Sequence, residues 1–233
     1  MSFPASTLFD WPRSLENFAE YFPLDEEPWL WLPKIERALE GIVPTLRDGQ
    51  RDFPPGLQVG QNVYIHSSVK LPHLGTLEDN IYIGEGVHLN PGIYIRRNVI
   101  IAANCVVGTA CELKNSILME GTKVPHFNYV GDSVLGNRVQ LGAMVVTANL
   151  RLDHRDVLIK TPAKSYATHR RKVGAFVGDE VRVACNTALQ PGTVLGRRCT
   201  LLPRFVFSGF LEAEHTGLPK DRNVGVMPGG TEA

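Results

Sequence analysis

Residues 81–119 read IYIGEG VHLNPG IYIRRN VIIAAN CVVGTA CELKNS ILM when broken into sixes, and an aliphatic side chain returns at every sixth position. One slot holds Ile83, Leu89, Ile95, Ile101, Val107, Leu113 and Met119; a second holds Val87, Ile93, Val99, Cys105, Cys111 and Ile117. A period of six is neither the 3.6 of a helix nor the 2 of a plain strand. It is the mark of a parallel β-helix, in which each short strand turns a corner before the pattern repeats. Three such strands close one coil of ~18 residues around a triangular core, and the hexapeptide pattern assigns the left-handed form of this all-β fold. The right-handed rule for crossovers would otherwise favour the opposite hand.

Working outward, the same phase begins near Leu57 and runs to Met119. Near Lys123–Phe127 it slips by four, which predicts an inserted loop at about 120–128. It resumes through Leu135, Leu141 and Thr147, breaks again at about 150–174, and returns as VGDEVR VACNTA LQPGTV LGRRCT LLPRFV. The expected organisation is an N-terminal helical cap over 1–56, a left-handed β-helix over 57–210 and an irregular tail over 211–233. Within the cap, Ser14–Phe22 and Glu26–Gly41 suggest short helices, interrupted by Pro23, Pro28 and Pro33. An open solenoid end exposes unpaired backbone, so Trp11, Trp29 and Trp31 are expected to cover it.

Composition excludes several partners. Lys plus Arg and Asp plus Glu number 24 each, and the pI is near 7.1. Nothing in that balance points to nucleic acid or a membrane surface. No apolar run approaches the ~18 residues of a span, and no signal-peptide layout opens the chain, so a cytoplasmic location is expected. Cys105, Cys111 and Cys199 fall in inward slots and read as small apolar fillers, not as a disulfide frame or metal site.

The coil length turns sequence positions into neighbours. Glu78, Arg96 and Lys114 each follow an inward residue and are 18 apart. They should stack on one face at about 4.8 Å per coil. Glu78 could make the trio a solvated charge ladder; alternatively, Arg96 and Lys114 form a clamp for phosphate. His126 lies in the expected loop, where an imidazole could take a proton near neutral pH.

The segment KNSILMEGTKVPHFNYVGDSVLGNRVQLGAMVVTAN, Lys114–Asn149, resembles the acetyltransferase half of the bifunctional glucosamine-1-phosphate N-acetyltransferase / N-acetylglucosamine-1-phosphate uridylyltransferase family. The resemblance covers about 57–210 and is most specific in HFNYVGDS. It implies a homotrimeric β-helix that uses acetyl-CoA or another acyl-CoA as co-substrate. His126 matches the base that deprotonates the sugar amine, Arg96 and Lys114 the phosphate ligands, and Tyr129 a tyrosine on the sugar phosphate. Asn149 matches a further substrate contact, whereas Gln140 stands where the family has asparagine. On the acyl-CoA side, Cys185 stands at a serine position and Pro203 at a small residue. The GDEVRVACNTALQPGTVLG run resembles sugar-nucleotide-enzyme-related proteins more closely.

No Gly-rich nucleotidyltransferase signature is present, so uridylyl transfer is not expected. The reading is an N-acyltransferase, with acetyl-CoA as the expected donor, acting on a phosphorylated amino sugar or related nucleotide sugar. The alternative is a non-catalytic phosphosugar-binding or assembly module working with a separate nucleotidyltransferase. The same histidine would also serve acylation of a hydroxyl.

Overall fold

The computed structural model describes residues 3–43 and 52–218. Parallel strands of two to four residues wind into a β-helix with eight strands on each of two faces and seven on the third. We call these face A (Gly56–Val59 through Val206–Phe207), face B (Val63–Ile65 through Phe210–Leu211) and face C (His88–Leu89 through Thr216–Gly217). The chain visits them in the order A, B, C. Ile83, Leu89, Ile95, Ile101, Val107 and Leu113 all point inward and are buried, as the sixfold repeat requires. Each such side chain contributes roughly 1.5–3 kcal/mol when fully removed from water. Cys105, Cys111 and Cys199 belong to the same core, and their thiols donate to backbone carbonyls.

The phase change after Leu113 has a different origin from the one expected. No loop is inserted at 120–128: Lys123–His126 and Tyr129–Gly131 are ordinary strands in register with their neighbours. Instead, two A-to-B corners are each one residue short. Ile117 pairs with Ile100, and Val134 with Ile117, at intervals of 17 where Ile81 and Val99 keep 18. The inward residues are therefore Leu113, Leu118, Val124, Val130 and Leu135. Ile117 and Met119, read from the sequence as inward, point outward to the N-terminal segment. Ser116 and Ser133, both buried, close the short corners by donating to the carbonyls of Lys114 and Gly131 at 2.7 Å.

The N-terminal segment covers a flank, not an end. Register places Tyr64, Tyr82, Ile100, Ile117, Val134, Phe176, Val194 and Phe210 in one outward file along face B. Such a file needs a partner, and 3₁₀ turns at Arg13–Tyr21, Pro28–Leu30 and Leu32–Lys34, followed by an α-helix at Ile35–Ile42, supply it. Pro28 and Pro33 sit in the first positions of their turns, where a missing N–H is harmless. Trp29 and Trp31 are buried in this layer, Trp29 lying 6.0 Å from Phe176. A polar lock joins the two parts. Asp179 accepts from the Asp10 N–H at 2.8 Å, the Asn137 N–H at 2.7 Å and Arg197 Nη1 at 3.2 Å.

Two further departures complete the picture. The 150–174 insertion forms an antiparallel hairpin, Leu158–Lys160 with Ser165–Ala167. Its Val157, Ile159 and Tyr166 join the layer that packs on the N-terminal segment. The coil also continues past residue 210, with strands at Phe210–Leu211 and Thr216–Gly217, so part of the expected tail belongs to the solenoid. The rest of that tail, 219–233, lies outside the described residues. No described helix is long and apolar enough to cross a membrane.

Candidate functional site

Outward positions on face A form two files. One runs Tyr94, Glu112, Tyr129, and the next carries Arg96, Lys114, Gly131. Arg96 and Lys114 are therefore stacked one coil apart, with the Arg96 N–H bonded to the Leu113 carbonyl at 2.8 Å.

Their charged ends diverge. Arg96 turns back along the face, its guanidinium 5.9 Å from the Tyr94 ring centroid and Nη1 3.0 Å from Glu112 Oε1. Its Nε is shielded from solvent and has no hydrogen-bond partner among the described residues. Glu78 is not its counter-ion: that carboxylate accepts from the Tyr94 hydroxyl and the Arg97 N–H. Lys114 runs the other way, toward the A-to-B corner, and its Nζ lies 3.4 Å from Asp132 Oδ2.

Asp132 organises the corner. It is almost fully buried, and it also accepts from Asn115 Nδ2 at 2.8 Å and Asn149 Nδ2 at 2.6 Å. The same Asn149 amide donates to the Tyr129 hydroxyl at 3.1 Å. Burial, aided by the nearby Asp132 and Glu112 charges, raises the Tyr129 pKa, so the phenol keeps its proton well beyond neutral pH. Gly131 makes this packing possible. A Cβ there would stand 2.4 Å from the Tyr129 hydroxyl oxygen and 2.8 Å from Asn149 Nδ2. Arg96, Lys114, Tyr129 and Asn149 thus share one face with Glu112, Asp132 and Gly131, three residues that the repeat reading did not single out. Glu112 occupies the same slot as Tyr94, a relation visible in the sequence. Asp132 lies 18 after Lys114, so the spacing that stacks Arg96 and Lys114 leads to it directly; the short coil gives the register position to Gly131 and turns Asp132 into the corner.

His126 occupies the opposite edge of face A. It ends its strand on face C, pairs with Thr109 and is exposed. Asn128 pins the corner that follows. This buried amide accepts from the His126 N–H at 3.0 Å and donates to the carbonyls of Gly142 and Val145 at 2.8 and 3.2 Å. The strand Tyr129–Gly131 separates this edge from the Lys114 corner, on the order of 10 Å at ~3.3 Å per residue. Cys185 and Pro203 continue the His126 edge. Met144 N–H bonds to the His126 carbonyl, Asn186 N–H to Ala143 and Arg204 N–H to Cys185, at 2.9–3.0 Å. Gln140 is set apart on face C, between Lys123 and Arg182.

Residues 77–200 match the family described as the GMPPB C-terminal domain. The chain belongs to that family. Members of the GMPPB C-terminal domain family are here joined by relatives with enzyme names. A bifunctional sugar-1-phosphate nucleotidylyltransferase/acetyltransferase of Sulfurisphaera tokodaii is 42% identical over 92 residues, 40% of this chain and 23% of that protein. A bifunctional protein GlmU of Methanococcus maripaludis is 34% identical over 113 residues, 48% of this chain and 27% of that one. The chain therefore spans about a quarter of these relatives' length. A solved N-acyltransferase, AntD from Bacillus cereus in complex with dTDP and coenzyme A, is 14% identical, with 70% of this chain and 80% of that one covered. Its TM-score is 0.21.

Proposed function

We propose that the chain is an acyltransferase moving an acyl group from acyl-CoA, with acetyl-CoA as the expected donor, to the amine of a phosphorylated amino sugar or nucleotide sugar. One observation carries this reading. His126 stands at an edge that joins the polar face bearing Arg96, Lys114, Tyr129 and Asn149 to the line bearing Cys185 and Pro203. The acceptor would lie on face A and the acyl-CoA along the edge. The amine nitrogen attacks the thioester carbon, a C–N bond forms and the C–S bond breaks. His126 accepts the amine proton and returns a proton to the departing thiolate. Arg96 and Lys114 would hold the phosphate, and the Tyr129 hydroxyl and Asn149 would orient the sugar. The names carried by the relatives support the same chemistry.

A threefold assembly fits this reading. The N-terminal segment covers face B, whereas Tyr94, Phe127, Met144 and Val206 leave exposed apolar surface on face A and the His126 edge. Sedimentation equilibrium giving a monomer would remove this element.

A second reading has its own observation. The strand Tyr129–Gly131 keeps His126 on the order of 10 Å from the Lys114 corner, as suits a non-catalytic phosphosugar-binding module. Incubation with acetyl-CoA and a hexosamine phosphate, followed by mass spectrometry, separates the two. An acylated sugar supports the enzyme. Thermal stabilisation by the sugar phosphate alone, with no acylated product from acetyl-, propionyl- or succinyl-CoA, supports the module.

A further inference from the structure

The edge that carries His126 runs far beyond it in both directions. Extended into the corners, the strand register places His73, Pro91, Thr109 and His126 in one line, a coil apart. The same line carries on to Cys185 and Pro203. Toward the C-terminus, then, lies the stretch assigned to acyl-CoA. Toward the N-terminus, two coils or roughly 10 Å from His126, the edge opens into a cleft of about 350 Å³.

Corners of the first two coils build this cleft, and its chemistry differs from that of face A. Pro72 and Pro91 give it flat apolar walls. His73 and His88, both exposed, add two imidazole rings. Asn90 adds a carboxamide, which both donates and accepts. Lys70 supplies a cation, and no carboxylate stands among the described lining residues. Face A, by contrast, sets Glu78, Glu112 and Asp132 among its cations.

We infer that this cleft binds the nucleoside of a nucleotide-sugar acceptor. The base lies between the proline walls and the imidazoles, Asn90 reads its polar edge, and Lys70 meets the adjoining phosphate. A volume in the range of small-ligand pockets holds a base with its ribose. The two coils between cleft and imidazole leave room for the diphosphate and sugar. The amine then reaches His126 from one end of the edge while the thioester arrives from the other. That direction of travel rests on the transferase reading; the nucleoside site itself does not. An amino sugar monophosphate would leave the cleft unused, so the site names the nucleotide sugar as the acceptor.

The test is calorimetric titration of the full chain with UDP and, separately, with GDP, ligands that carry neither amine nor thioester. One or both should bind. His73→Ala/His88→Ala should weaken binding by about tenfold or more, with an unchanged melting curve because both side chains are exposed. Asn90→Asp, which puts a carboxylate into the cleft, should weaken it several-fold. Saturating CoA should leave the affinity as it is. The inference is overturned if neither diphosphate binds, if either variant binds as the parent does, or if CoA displaces the bound diphosphate. Displacement would give the cleft to the acyl donor. A chain that acylates a hexosamine phosphate but binds no nucleoside diphosphate would lose this site and keep the transferase reading. Diphosphate binding that follows the variants, without any acylated product, would do the reverse.

Discussion

Gly131→Ala perturbs the site without touching the core. The new methyl would sit 2.4 Å from the Tyr129 hydroxyl oxygen, 2.7 Å from its ring carbon and 2.8 Å from Asn149 Nδ2. Ordinary van der Waals contact starts near 3.4 Å, so the phenol must retreat by about 1 Å. That motion breaks the 3.1 Å bond from Asn149. One hydrogen bond contributes about 0.5–1.5 kcal/mol net. Replacing glycine in a permitted conformation returns about 0.4–1 kcal/mol through the unfolded chain. Stability should therefore change by less than about 1 kcal/mol, whereas a positioning group displaced by ~1 Å can lose up to ~10²-fold in rate. We expect kcat/KM for the amino-sugar phosphate to fall at least tenfold, with the urea midpoint nearly unmoved. Tyr129→Phe, which removes only the hydroxyl, should reproduce much of the loss. A Gly131→Ala protein with parental kcat/KM would refute the role given to Tyr129. A loss of more than ~3 kcal/mol would show that the ring cannot yield.

Four other outcomes are expected. His126→Ala should lower kcat by about 10²–10⁴-fold while leaving the thermal midpoint unchanged, because the side chain is exposed; steady-state kinetics on the purified variant decides it. Gly108→Ala should destabilise by roughly 3 kcal/mol or more, since its Cβ would fall 1.4 Å from the Pro125 carbonyl oxygen; chemical denaturation measures this. Asp179→Ala should cost about 1–3 kcal/mol for each of the Asp10 and Asn137 backbone N–H groups it leaves without an acceptor, while Arg197 keeps its pair with Asp10. Limited proteolysis should then cut the N-terminal segment first. Iodoacetamide at pH 8 should alkylate only Cys185, which is exposed. Burial pushes Cys105 up to about 12 and raises Cys111 and Cys199, so their thiolates are scarce at that pH; peptide mapping counts the labelled sites.

The solenoid was legible because burial imposes its period directly: Ile83 through Leu113 are inward in the sequence reading and in the structure. The stacking of Arg96 on Lys114 follows from the same arithmetic. The arithmetic fails where a coil loses a residue. Two losses, at the corners after Leu113 and Val130, shift the phase by as much as one insertion of four, so the two cannot be told apart by counting. That ambiguity put Met119 inside and gave His126 a loop it does not have. The flank-covering cap was missed for another reason. Tyr82, Ile100 and Ile117 alternate with inward residues, so their strands read as simply apolar, and only the register shows the outer file. Side-chain direction was equally invisible: adjacent slots do not reveal that Arg96 turns to Glu112 while Lys114 turns to Asp132.

The short corners have an effect beyond bookkeeping of the repeat. By dropping one residue twice at the same edge, the chain sets Gly131 in register with Lys114 and turns Asp132 into the corner, where its carboxylate meets the Lys114 ammonium. The start of the helical cap and the end of the 150–174 insertion border that corner, and Glu36, Arg170 and Lys172 line the cleft between them. A perfectly periodic coil would instead set Asp132 in register with Lys114 on face A, and the corner would lose its buried carboxylate.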